Sequence, residues 1–231
     1  MQQTKLSSIP TFADGIIEFI SHLHFPVHLP HDIEVMNPFI DNEAMSICIK
    51  FYKKYYEDHD KRTMIIGINP GRFGGGVTGI PFTDPIRLQK DCGIENAWSK
   101  KQELSSLFMY DMINAFGGSD IFYKNFYITA VSPLGFTRHN KNLNYYDDKN
   151  LQSDIKDFAV DCMHKQFEFG INRKVAFCLG DGKNFKYLSK LNEEEKFFKK
   201  IIPLSHPRFI MQYKLKKKEE YIQTYLEKLR S

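Results

Sequence analysis

The sequence predicts an α/β fold of three layers, in which a central four-stranded parallel sheet lies between helices. Three observations predict it. Short apolar runs at 64–66, 126–131, 174–179 and 200–204 read as strands buried on both faces, the signature of a parallel sheet. Segments of helical periodicity separate these runs, so strand and helix alternate. Each run then gives way to turn-forming residues: Gly67, Ser132-Pro133, Gly180-Asp181-Gly182 and Ser205-His206-Pro207. Right-handed crossovers gather such strand-end loops along one edge of the sheet, where open α/β folds place their chemistry.

In chain order, Ile16, Phe19, Ile20 and Leu23 recur at helical spacing within residues 11–24, and the Pro-rich piece from Phe25 to Pro38 reads as a connector. A second helix opens at Asp41-Asn42-Glu43 and runs through Tyr55. It has Ile47, Phe51 and Tyr55 on one face, and Lys50, Lys53 and Lys54 on a solvated one. The first strand, Met64-Ile65-Ile66, has a basic start at Lys61-Arg62 and leads into a Gly/Pro-rich loop that cannot be helix. Ser99 to Phe116 is a helix capped by Gly117-Gly118, and Arg138 to Asn150 is a polar loop after the second strand. Helices follow from Leu151 to about Phe169 and from Asn184 to Leu191, and a closing amphipathic helix runs from Lys214 to Leu229. At 231 residues and 42% hydrophobic content the chain is long enough for one well-cored domain and marginal for two. One domain over 1–231 is therefore expected, with N-terminal helices at about 11–56 and a core at about 60–231.

A formal charge of +4 is too small for a general polyanion-coating protein, although a local basic strip is compatible with it. Cys48, Cys92, Cys162 and Cys178 are widely spaced, which gives no recognisable zinc or iron–sulfur pattern and suits buried thiols in a reducing compartment. The N-terminus resembles neither a signal peptide nor a transit sequence, and no apolar run reaches membrane length. A cytoplasmic protein is the expectation.

The loop Gly67 to Phe82 is built to hold a ligand: its glycines let backbone amides approach closely, and Asn69, Arg72, Thr78 and Phe82 supply side chains. Gly74-Gly75-Gly76-Val77-Thr78-Gly79 matches a dinucleotide fingerprint literally, but Pro70 and Pro81 break the strand–turn–helix that such a site needs. A phosphate loop would end in Gly-Lys-Ser/Thr, and here the chain reads Gly79-Ile80-Pro81. The fold brings His206 to the same edge as Asn69. Asp84-Pro85 is either a second polarising carboxylate or, the favoured reading, a helix N-cap with proline in the first turn.

Gly67-Ile68-Asn69-Pro70-Gly71, then Phe73-Gly74 and Thr78-Gly79-Ile80-Pro81-Phe82, with a late strand ending in His206-Pro207, resemble the uracil-DNA glycosylase superfamily, in particular its single-strand-selective monofunctional (SMUG) branch. The resemblance covers roughly residues 60 to 230. It implies the fold predicted above and an enzyme that extrudes uracil or a related base and hydrolyses its bond to C1′ by direct water attack, without metal or redox cofactor. It implies that Phe82 stacks on the flipped base, Asn69 orients the water and His206 donates to the base oxygen. Gly67, Ile68, Pro70, Gly71, Phe73, Ala130 and Ser132 would line the base pocket, with glycine at 71 leaving room beside C5. Arg72, Arg138, Arg208, Phe209 and Lys214 are the expected DNA contacts, in a chain expected to act as a monomer; the alternatives are packing under the last helix for Phe209 and solvation for Arg72 and Lys214.

Two departures from the branch matter. Ala130 stands where the branch has a base-reading asparagine, so selectivity falls to backbone groups, Ser132 or another residue. Xanthine, with its uracil-like ring edge, then enters as a substrate to be tested, while tolerance of C5-substituted uracils is expected from the glycine at 71. The stretch His206-Pro207-Arg208-Phe209 is also shorter than the branch's usual loop. No lysine sits in the first motif to form a Schiff base, so lyase activity is not expected. The alternative from another class is a module that binds single-stranded nucleic acid or nucleotide without catalysis.

Overall fold

The structure, a computed structural model, describes residues 9–231. Ten α-helices, three short 3-10 helices and seven strands are found among the described residues. In chain order the α-helices and strands are α1 (Phe12–Ser21), β1 (Ile33–Met36), α2 (Asn42–Tyr56), β2 (Arg62–Gly67), α3 (Gly75–Thr78), α4 (Pro85–Lys90), α5 (Leu104–Phe116) and α6 (Ser119–Asn125). There follow β3 (Phe126–Ala130), β4 (Gly135–Arg138), β5 (Lys141–Leu143), α7 (Lys149–Phe167), β6 (Ile171–Leu179), α8 (Lys183–Glu195), β7 (Lys200–Leu204), α9 (Pro207–Tyr213) and α10 (Lys218–Leu229). Among the described residues no helix is long and apolar enough to cross a membrane.

The central sheet has four parallel strands in the order β3-β2-β6-β7, flanked by helices. Its register decides where the site can form. Gly67 sits opposite Ala130, Ile66 opposite Cys178, and Leu179 opposite Leu204, so all four strands finish at one level and their following loops converge. Pro203, which cannot donate to a ladder, is placed on the edge strand β7. Asp84 caps α4 by accepting the N–H groups of Ile86 (3.0 Å) and Arg87 (2.8 Å), with Pro85 in the first turn, as the Asp-Pro pair predicts.

Several elements differ from the sequence reading. The connector 25–38 and the loop 138–150 both contribute strands, because β1, β4 and β5 form a small antiparallel sheet. His139 and Asn140, at φ 51° and 58°, make the two-residue turn of its hairpin. The glycine loop does contain one helical turn, α3, closed by Gly79 at φ +73°. Helix α5 starts at Leu104 rather than Ser99, because the Asp84 carboxylate accepts the Glu103 N–H (2.9 Å) and fixes that residue as the N-cap. The expected loop after β7 becomes helix α9, with His206 as its N-cap and Pro207 in its first turn.

Arg62, read as the basic start of a strand, is fully buried. Its guanidinium lies between the rings of Phe12 (4.8 Å) and Tyr56 (5.1 Å), donates to Tyr123 O (3.2 Å) and Asp60 O (2.8 Å), and pairs with Asp58. This ties α1 to the start of β2, which a charge pattern alone cannot reveal. All four cysteines are buried free thiols, with burial pushing each up, Cys92 to about 11 and the others to about 12.

Candidate active site

Asn69 lies two residues past β2 and is held by the hairpin. Its Nδ2 donates to Leu143 O (3.1 Å), and its Oδ1 accepts the Tyr145 N–H (3.1 Å). Two main-chain partners of opposite sense fix which way the carboxamide faces. The hairpin also accepts the Arg72 N–H through Asn142 Oδ1 (3.1 Å), so β5 braces the loop at two points. Behind it, buried Asn184 accepts from Tyr145 OH (2.7 Å) and donates to Leu179 O (3.0 Å) and Gly67 O (3.3 Å). Asn184 thereby couples the ends of β2 and β6 to the segment that holds Asn69.

Phe82 adopts the left-handed backbone, φ 54°, a conformation that costs a non-glycine residue roughly 1 kcal/mol or more. Its ring is thereby laid against Gly67, where a Cβ would meet Phe82 Cε2 at 3.0 Å. A side chain at the end of β2 would therefore crowd the aromatic face. The Phe82 and His206 rings are 6.0 Å apart and tilted by 52°. His206 Nδ1 accepts the Arg208 N–H (3.1 Å), which leaves the proton on Nε2. Burial first, and then the Arg208 guanidinium, push its pKa down from 6.5 to about 4, with Asp181 opposing. At neutral pH the ring is a neutral hydrogen-bond donor.

These groups line one cavity of about 380 Å³, within the size range of small-molecule sites. Gly67, Ile68, Asn69, Pro70, Gly71, Phe82 and Ala130 line it, together with His206, Arg208 and Phe209. An apolar wall, one fixed carboxamide and one neutral imidazole donor suit a flat heterocycle that departs with negative charge on oxygen.

A model of the uracil DNA glycosylase superfamily matches residues 53–230. The chain belongs to that superfamily. Among solved structures, that of wild-type SMUG2 from Pedobacter heparinus superposes with a TM-score of 0.93 at 48% identity, covering 96% of this chain and 98% of that one. This supports the SMUG-type assignment and the αβα fold. No curated protein matches. The chain is accordingly a DNA glycosylase, of the class that serves base excision repair.

Ser132, Phe73, Arg72, Arg138 and Lys214 lie outside the cavity lining, whereas Phe209 belongs to it. Ser132 is buried and its hydroxyl donates to Leu134 O (2.7 Å), which corrects its expected place at the base. Phe73 is 41% exposed outside the cavity, with Arg72 (4.7 Å) and Lys101 (5.4 Å) over its ring. Arg72 also donates to Asn140 O in the hairpin turn. Arg138 pairs with Asp148 (2.8 Å) and Asp32 (2.8 Å), so its charge is already partnered within the protein. Lys214 follows α9 and is exposed, and exposed Phe209 packs on Tyr213 at 5.7 Å.

Sequence reading missed Glu103, Asn142, Asn144, Tyr146 and Tyr213, all of which line the cavity. Asn142 and Asn144 sit in the unrecognised hairpin, and Glu103 in a segment taken as mid-helix. Three residues of β5, two of them exposed and polar, give no alternation by which the first pair could be found.

Proposed function

We propose that this glycosylase removes uracil from DNA, and C5-substituted uracil and xanthine as related substrates, by base extrusion and direct water attack. The observation that carries the reading is the convergence of Asn69, Phe82 and His206 on one cavity at the carboxyl edge of the sheet. The flipped base stacks on Phe82, and Asn69 orients a water toward C1′. The water oxygen bonds to C1′ as the bond to the base nitrogen breaks, with its electron pair leaving on the base. His206 Nε2–H stabilises the charge that develops on the base oxygen. The water proton passes to the departing base or to solvent, and an abasic site remains. Asn69 has no ionisable group, so it orients rather than deprotonates. Backbone groups and side chains other than Ser132 must supply the selectivity lost at Ala130.

This reading takes the chain as a cytoplasmic monomer that works without metal or redox cofactor, with 1–231 as one domain. Packing of α1 on α2 and α7 supports a shared core, and residues 1–8 lie outside the described part. The test is release of free base from uracil- and xanthine-containing oligonucleotides by wild type, Asn69→Ala and His206→Ala. Alkali-labile sites left by wild type, and strong impairment of both variants, are expected. Salt-dependent binding with no release would instead favour a non-catalytic nucleic-acid-binding module. Release of uracil without xanthine would remove the purine part.

A further inference from the structure

We propose that Glu103 reads the extruded base as a hydrogen-bond donor, its neutral carboxyl pairing with a carbonyl or ring-nitrogen acceptor on the edge of a deaminated base. The proposal rests on the glycosylase reading above and names the group that does the selecting.

Glu103 lines the same cavity as Asn69, Phe82 and His206. Its main chain is fixed, because its N–H donates to Asp84 Oδ2 (2.9 Å) as the last residue before α5. Its carboxyl, by contrast, makes no hydrogen bond or ion pair among the described residues. The acid is seated on glycine. A Cβ at Gly74 would lie 1.9 Å from Oε2, and one at Gly71 would lie 3.2 Å from Oε1. Two positions of the ligand loop thus leave room for this carboxyl.

The charged neighbours are few. Asp84 approaches from the start of α4 and Arg208 from α9, while the β5 side contributes the neutral Asn142, which shares the space beside Gly71. Burial, with Asp84 adding to it and Arg208 opposing, raises the carboxyl from 4.5 to about 7. A neutral fraction therefore persists near neutral pH.

The chemistry follows from donor and acceptor inventories. Deamination replaces an exocyclic amino donor by a carbonyl acceptor, and the two classes of base differ at that atom. A neutral carboxyl offers an O–H to such an acceptor, whereas a carboxylate only accepts. Ionised Glu103 would face carbonyl oxygens with negative charge beside a base that is itself departing as an anion. The neutral acid thus favours deaminated bases and supplies a donor that Ala130, a buried methyl lining the same cavity, cannot.

The test is single-turnover release of uracil and of xanthine from oligonucleotides by wild type, Glu103→Gln and Glu103→Ala, from about pH 5.5 to about pH 8.5. NMR titration of each protein with free uracil and free xanthine over the same range accompanies it, and thermal unfolding verifies that the variants are folded. Wild-type release is expected to fall as pH rises through about 7. Glu103→Gln, which cannot ionise, should flatten that limb, and Glu103→Ala should lower release about five- to ten-fold at the acid end, the size of one hydrogen bond. Superposable pH profiles for wild type and Glu103→Gln, or undiminished release by Glu103→Ala, overturn the proposal. If wild type releases neither base, the glycosylase reading fails separately, and the free-base titrations still decide on Glu103: affinity independent of pH, or equal in Glu103→Ala, overturns its role.

Discussion

Asn69 and Tyr145, 76 residues apart, are joined by a 3.1 Å hydrogen bond in which the Tyr145 N–H donates to the Asn69 carboxamide oxygen. Together with the bond from Asn69 Nδ2 to Leu143 O, it removes the freedom of the side chain to flip. Asn69→Ala is expected to lower kcat/KM by on the order of a hundred-fold or more, with folding retained. Asn69→Asp, though isosteric, should be impaired too, because one carboxylate oxygen then faces the Leu143 carbonyl with no proton between them. Single-turnover rates alongside thermal unfolding separate this from loss of fold.

His206 predicts an unusual acid side. Its folded pKa is lowered to about 4, so the stability it contributes is fully present above about 6.5 and is lost as pH falls from there through about 4. The neutral donor also persists through mildly acidic pH. Activity should therefore show no loss attributable to His206 as pH falls through the usual histidine value of 6.5. In unfolding scans between about pH 7 and about pH 4, wild type should lose stability relative to His206→Gln. A rate limb at 6.5 that disappears in His206→Gln would contradict this.

The central sheet was legible because two-sided burial writes continuous apolar runs: all four expected strands exist, and their register aligns Gly67 with Ala130 and Leu179 with Leu204. The small sheet was not legible, since β5 is Lys141-Asn142-Leu143, too short and polar to alternate visibly. With it went the knowledge that Asn69 is clamped. Arg62 misled for a related reason, in that a buried, fully bonded arginine has the same letter as a solvated one. The His206-Pro207 step reads in the sequence as a loop and Asp84-Pro85 as a cap, and in the structure both are caps. Glu103 carries no motif of its own. Its significance comes from the cavity and from glycines about thirty residues away, which only the folded chain brings together.

At the exposed edge beside the cavity, expected DNA contacts can be told from structural charges by experiment. Phe209 and Tyr213 are 42% and 71% exposed, so truncating either to alanine should change stability by about 0.5 kcal/mol or less. If bases stack on them, each truncation should weaken single-stranded DNA binding by about 1–3 kcal/mol. Lys214→Ala should reduce the slope of log affinity against log salt by about one unit. Arg138→Ala should instead leave that slope unchanged and lower the melting temperature, because its charge is held by Asp32 and Asp148. Salt titrations of the variants in parallel make the comparison.

Phe82 gives the most discriminating test of the site's backbone. At φ 54° an L-residue is strained and glycine is not, so the usual order of the two smallest side chains should invert here. Phe82→Gly and Phe82→Ala both lose the aromatic face and should both be strongly impaired in base release. Phe82→Gly should nevertheless be more stable than Phe82→Ala by about 1 kcal/mol, opposite to the order expected in a helix or strand. Chemical denaturation of the pair measures this directly. Equal stabilities, or Phe82→Ala the more stable, would mean that residue 82 relaxes out of the left-handed region once its ring is gone. The strain would then be imposed by the packing of the ring against Gly67 and not by the turn that carries it.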